Sequence, residues 1–386
     1  MSKQNQLREI HKSGKSYVIY KSINGFDLYT DFSKKIILNK RNVYSFLNKK
    51  INTKKLKETD LFIGFFGYEL LNNIIGIKVP RQKSINFPKG IFYKPEKKIR
   101  YSNNLINYQT DKTRPKKKFK ININKKSYTK IFDRFKKKIK SGETYQIKIC
   151  TKYKLKSEID PLDFFCRLSK SNLAPEAFMI RDKDYSIISC SPENLITKKG
   201  SLITTKPIAG TVVKNKKMSK IRALKYFRNN IKETKEHNMI VDMERSDMSR
   251  ICKVGTVKLS KEKEVEEYKD LFHYVSLIKG KTKKNVKNID IIRAMMPGGS
   301  VIGCPKISTL NLLNNQEKEN RNIYTGSFGY LKLNGDMKFN IIIRSILNYK
   351  SISEISVASG VVVDSNAKHE FRENFIKAKA LIDLFK

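Results

Sequence analysis

A segment of helical period that runs straight into one of strand period narrows the fold more than any other feature of this chain. In residues 128–142 (YTKIFDRFKKKIKSG) apolar side chains recur at helical spacing and stop at Gly142. Residues 144–155 (TYQIKICTKYKL) then alternate as a strand. Further strand-like runs lie within 185–211, broken by Pro192, Gly200 and Pro207. Residues 219–251 read as helix with a dense charged face, GTVKL (255–259) as strand, and Glu370 to Phe385 as a closing amphipathic helix. This mixture predicts an α/β (α+β) fold.

The first 110 residues read as strands and short helices, with apolar runs at 17–23 and 60–71 (DLFIGFFGYELL) bounded by polar turns. The basic stretch Asp111–Phe119, which contains Pro115 and no periodicity, is the expected linker. It divides a smaller N-terminal portion (1–115) from a denser C-terminal one (120–386). No stretch of about 18 uncharged apolar residues is present, and Met1–Tyr20 lacks an apolar signal core. The five cysteines are scattered, without C-x-x-C spacing, which reads as free thiols in a reducing cytoplasm. No membrane association is expected.

The net charge is +45. Such a field attracts phosphate, so a basic nucleic-acid-binding protein is one reading. Lysine far outnumbers arginine, the better bidentate reader of phosphate, and the lysines lie along the whole chain rather than in one stripe. Solvated lysines filling surface positions account for that pattern, and no specific nucleic-acid partner is expected.

Two acidic pairs stand at helical spacing, Glu233 with Glu236 and Glu370 with Glu373. Each pair shares one helix face. Facing one another they would suit magnesium, which takes oxygen ligands. In lysine-rich helices the same spacing also serves solvated ion pairs. Glycine-bearing turns occur at PIAGT (207–211), PGGSVIGCPK (297–306) and VASGVVVDS (357–365), where backbone N–H groups can approach an anion or make an ordinary turn. Among the four histidines, His273 has apolar and aromatic neighbours, as a general acid–base or a satisfied core residue would.

The ordered series GETYQIKIC, CSPENLI, PIAGT, EHNMIVDMERSDMSRIC, HYVS, PGGSVIGCPK, YTGSFGYLKLNGDMKFNIIIRS and ASGVVVDSNAKHEFRENFIKAKAL resembles the chorismate-utilising family across roughly residues 127–386. That family includes anthranilate synthase component I, aminodeoxychorismate synthase component I, isochorismate synthase and salicylate synthase. The resemblance implies two antiparallel sheets packed as a sandwich, helices outside, and an active site in a cleft. It makes 1–115 a reduced N-terminal portion of the component I type and 120–386 the chorismate-binding catalytic domain. It places Glu233, Glu236, Glu370 and Glu373 around Mg2+, which would hold the ring carboxylate. Gly210, Thr211, Ser300, Lys306, Tyr324, Arg344 and Gly360 match substrate-contacting positions, with Arg344 clamping the enolpyruvyl carboxylate. Glu193 and His273 match the acid–base positions.

Three positions choose among family members. Isochorismate and salicylate synthases carry a lysine at the position of Gln146, where it activates water; a neutral glutamine there implies ammonia as nucleophile. Aminodeoxychorismate synthases often carry a nucleophilic lysine at the position of Ala209. Its absence points to direct attack by ammonia at carbon 2 and to anthranilate as product. Ser300 resembles the aminodeoxychorismate enzymes instead, which keeps that product, and the folate pathway, as the alternative to tryptophan biosynthesis. The chain carries no G-x-C-x-G nucleophile, so a separate glutamine amidotransferase subunit is expected to supply ammonia. Anthranilate synthases usually carry a tryptophan-binding L-L-E-S-type motif near the start. Lys21 stands where its acid belongs, which implies weak or absent feedback, and Ser308 stands where an arginine commonly follows the PK turn.

Overall fold

The alternating segment forms the strand Gln146–Lys156, which pairs antiparallel with Ile352–Val361 along its length. The ladder then runs through Ser345–Tyr349, Tyr185–Ser191, Glu176–Arg181 and Tyr17–Ser22 to the long strand Gly25–Ile37. On its far side Gly25–Ile37 pairs with Gly90–Tyr101. From there the ladder continues through Leu61–Phe66, Ser327–Lys332, Met337–Asn340, Asn194–Lys199 and Leu202–Thr205 to Leu271–Lys281. The strands Ile208–Val213 and Lys258–Glu267 both pair with Leu271–Lys281. These relationships come from a computed structural model that describes residues 3–48, 56–80, 86–101, 108–110, 118–215, 218–268 and 271–386.

The two separate sheets implied by the resemblance are therefore corrected to one continuous sheet, 18-stranded among the described residues. Its two arms are joined by the ribbon of Gly25–Ile37 and Gly90–Tyr101. A register shift between Phe32 and Lys34, beside Asp31 at φ 54°, interrupts that ribbon midway. A bulge of this kind bends and twists a strand without ending its ladder. Apolar side chains from both arms share one core: Val18, Phe178 and Ile187 cluster with Ile63, Phe65 and Phe328. The rings of Phe178 and Phe328 stack at 3.7 Å with 4° between planes.

The helix Lys125–Lys140 buries Tyr128, Phe132, Phe135 and Ile139, and Asn124 caps it by accepting from the Ser127 amide. It ends before Gly142, at φ 78°. The single helix expected at 219–251 is two, Lys220–Asn229 and Ile231–Ile251. Asn230 stands extended between them, and its side chain accepts from the Glu233 amide. Asn readily trades helical hydrogen bonds for such a cap. The run 60–71 also divides, into the strand Leu61–Phe66 and the helix Tyr68–Ile74. Of the expected linker, residues 111–117 lie outside the described residues. Helix Ile231–Ile251 packs on Ile208–Val213 and Leu271–Lys281, and the closing helix Ala367–Ile382 packs on Ile352–Val361.

Candidate active site

The PIAGT turn sets the geometry. Gly210 has φ 87°, and a Cβ there would stand 2.7 Å from the Phe227 ring and 3.0 Å from Glu233 Oε2. Only glycine meets both conditions. The strand's register against Leu271–Lys281 shifts between Ile208 and Thr211, which sets Thr211 opposite His273. Thr211 Oγ1 and His273 Nδ1 are 2.9 Å apart.

The turn forms part of the wall of a cavity of about 690 Å³. Both acidic pairs, Glu233 with Glu236 and Glu370 with Glu373, line it. So do Glu193, Gly210, Thr211, His273, Ser300, Tyr324, Arg344 and Gly360. Ala209 lines it as well, so a longer side chain at that position would stand at the cavity wall.

The acidic side of the cavity is densely bonded. Donor atoms of His369, Glu370 and Glu373 lie within 4.8 Å of one another. Glu236 Oε1 accepts from Gln146 Nε2 at 2.8 Å and from Lys148 Nζ at 3.0 Å, and Lys377 Nζ reaches Glu373 Oε1 at 2.6 Å. The Lys148 ammonium holds the Glu236 carboxyl down at about 2, against the opposing effect of burial. Burial works to raise Glu373, but Lys377, Lys148 and a hydrogen bond with Glu370 together keep it below its ordinary value. Oxygen donors with this much negative charge fit a hard divalent cation such as magnesium.

Elsewhere in the cavity the groups are set for proton transfer and anion binding. Burial raises Glu193 to about 7, only partly opposed by the hydroxyl that Ser300 donates at 2.7 Å. Burial, reinforced by the charge of Arg344, lowers His273 to about 4, so its imidazole is neutral at pH 7. Burial also lowers Arg344, whose guanidinium makes no hydrogen bond or ion pair among the described residues. Arg344 sits at φ 49°, and the neighbouring Tyr324 loop holds Asn322 at 55° and Thr325 at 60°. Left-handed backbone in residues of this kind clusters where a surrounding site demands it.

Two expected residues do not reach the cavity wall. Gln146 is 1% exposed and lies behind it, donating to Glu236. Lys306 is buried against Asp247, with further bonds to the carbonyls of Ala294 at 3.1 Å and Met295 at 3.4 Å. Its ammonium caps the end of the helix Asn288–Met295 rather than facing the cavity. Ser308 donates to the Glu143 carbonyl at 2.5 Å. Two charged lining residues escaped the sequence reading, Lys148 and Lys377. The available signal was periodicity: Lys148 follows Gln146 by two on a strand, and Lys377 follows Glu373 by four on a helix.

Comparison with known proteins gives the family and the fold. The profile of a family described as chorismate binding enzyme matches residues 8–383. Aminodeoxychorismate synthase component 1 of Bacillus subtilis (strain 168) is 34% identical over 255 residues, covering 66% of this chain and 54% of that protein. Anthranilate synthase component 1 of Mycolicibacterium smegmatis is 33% identical over 263 residues, covering 66% of this chain and 50% of that protein. The chain thus spans about half the length of both relatives. Anthranilate synthase component I from Streptococcus pneumoniae TIGR4 shares the fold, with a TM-score of 0.76 at 24% identity over 95% of this chain and 90% of that one.

Proposed function

The chain belongs to the chorismate-binding enzyme family, and we propose that within it the protein is an aminating enzyme, converting chorismate and ammonia to anthranilate, pyruvate and water. The observation that carries this reading is an Arg344 guanidinium, unpaired among the described residues, in the same cavity as four carboxylates. A dianionic substrate has one carboxylate for the guanidinium, which is shaped to clamp it. Its other carboxylate needs a cation between itself and the acidic cluster.

Glu233, Glu236, Glu370 and Glu373 would hold Mg2+, which when bound supplies the positive charge that orients the ring carboxylate. Ammonia adds at ring carbon 2 while the carbon 4 hydroxyl leaves as water, taking its proton from Glu193. Near neutral pH that carboxyl is poised between its two forms, as a general acid requires. The added ammonium gives up a proton that restores Glu193, and the neutral His273 imidazole accepts the proton lost from carbon 2 as the bond from carbon 3 to the enolpyruvyl oxygen breaks. The ring becomes aromatic, and the released enolpyruvate takes up a proton to become pyruvate. Groups held in place before the reaction contribute more here than any single bond made during it.

Ala209 supports anthranilate over aminodeoxychorismate, because the cavity wall there carries no amine to form a covalent intermediate. Ser300 favours the second reading, aminodeoxychorismate, through the position it shares with those enzymes. The deciding experiment is a product assay with chorismate, ammonium and magnesium. Fluorescent anthranilate with equimolar pyruvate supports the first reading; an aminated product that retains the enolpyruvyl group supports the second. Ammonia in the cell would come from a glutamine amidotransferase subunit, so the isolated chain should use ammonium and not glutamine. Lys21, which donates to the carbonyls of Ser22 and Gly25, is the residue that the sequence resemblance aligns with a tryptophan-binding acid. Activity should therefore persist in micromolar tryptophan. Among the described residues no helix is long and apolar enough to cross a membrane.

A further inference from the structure

We propose that Lys148 is a resident counter-ion of the four-carboxylate site, one that occupies Glu236 and thereby sets how weakly the site holds a divalent cation. This inference rests on reading those carboxylates as the metal site. The strand alternation that carries Gln146 behind the cavity carries Lys148 to the same face, and its side chain reaches the lining. Both donors converge on a single oxygen, Glu236 Oε1, at 2.8 and 3.0 Å. An oxygen holding two strong donors, one of them charged, is a poor remaining ligand for a metal.

The cavity is shaped for this ammonium. A Cβ at Gly360 would stand 2.7 Å from Lys148 Nζ and 3.0 Å from Gln146 Nε2, so the glycine leaves room for both. The charges agree in sign. Lys148 and Lys377 each place an ammonium on a carboxylate of the acidic set. Removing Lys148 takes away one of those positive charges and frees Glu236, and both changes favour tighter metal binding. Lys377 makes the same kind of pair with Glu373, but on its own helix, at i,i+4. Lys148 is the cation brought to the acidic set from another element.

The test is Mn2+ binding to the full chain, followed by electron paramagnetic resonance of the free ion, without substrate. Lys148→Met is expected to bind Mn2+ about tenfold more tightly than the native chain, and Lys148→Arg to stay near the native value. Equal or weaker binding by Lys148→Met overturns the proposal. Should that variant not fold, a second pair decides in the native background. Glu236→Gln should weaken binding by no more than about threefold, against about ten- to a hundredfold for Glu370→Gln. Equal losses from the two overturn it as well. Absence of Mn2+ binding by every chain, native included, would instead overturn the metal reading on which the proposal rests.

Discussion

Ser300 donates its hydroxyl to Glu193 Oε1 at 2.7 Å, and the two side chains are buried to within 7% and 5% of full enclosure. The bond favours the ionised carboxylate, while burial favours the acid and prevails, leaving Glu193 at about 7. A general acid must hold its proton, so kcat/KM should be level below about pH 7 and fall as pH rises through it. Ser300→Ala removes a lowering influence and should move that limb to higher pH. A pH profile of both proteins measures the shift; a limb unmoved by the substitution removes Glu193 from this role.

His273 stays neutral above about pH 4, so it should add no limb to the profile between pH 5 and 8. His273→Ala is expected to lower kcat by about 10²- to 10⁴-fold, the usual contribution of a positioned acid–base group. The shape of the profile should be unchanged. Steady-state kinetics at several pH values checks both statements.

Arg344→Lys keeps the charge and loses the planar fork. If the guanidinium clamps a carboxylate with two bonds, the lysine variant should lose about 10²-fold in kcat/KM, close to the loss in Arg344→Gln. Near-native activity in the lysine variant would mean that charge alone is used there.

Ala209→Lys places an amine at the cavity wall. With chorismate and magnesium but no ammonium, the variant should gain mass by covalent attachment of the substrate, which intact-protein mass spectrometry detects. The native chain should show no such adduct.

Arg321 is 1% exposed, paired with Glu317 through Nε at 3.0 Å and Nη2 at 2.6 Å, and bonded to the Lys148 carbonyl at 3.0 Å. Its guanidinium lies 4.8 Å from the centre of the Tyr68 ring. Arg321→Met strands Glu317 and should cost about 3–5 kcal/mol of stability. Chemical denaturation gives that value directly. A loss under about 1 kcal/mol would show that Glu317 escapes to solvent when its partner is gone.

The parts legible from sequence were those with local causes. The helix Lys125–Lys140 follows from its apolar spacing, and the PIAGT turn announces itself by a glycine that must take a positive φ. The acidic pairs were visible because helical spacing alone puts them on shared faces. What was hidden depended on long-range pairing. Lys148 was one lysine in a chain with 81 Lys and Arg residues, and nothing local distinguishes a half-buried, paired ammonium from a solvated one. Lys306 sat in a well-marked turn, yet its partner Asp247 lies 59 residues away. The break at Asn230 was masked because both flanking helices carry similar charge and period. The single sheet was equally hidden, since the ribbon joining its arms is bent by a bulge rather than ended by a turn.

That continuous sheet also dictates an order of events at the ribosome. Tyr17–Ser22 waits for Glu176–Arg181, and Leu61–Phe66 waits for Ser327–Lys332. At synthesis rates of about 5–20 residues per second, the earliest strands spend many seconds with an unpaired apolar edge. Slow, late closure is the rule where partners are so far apart along the chain. Those edges are sites where another nascent copy could pair instead. The lysines that cover the folded surface would repel such a copy, so the chain's large positive charge protects it most before it has folded.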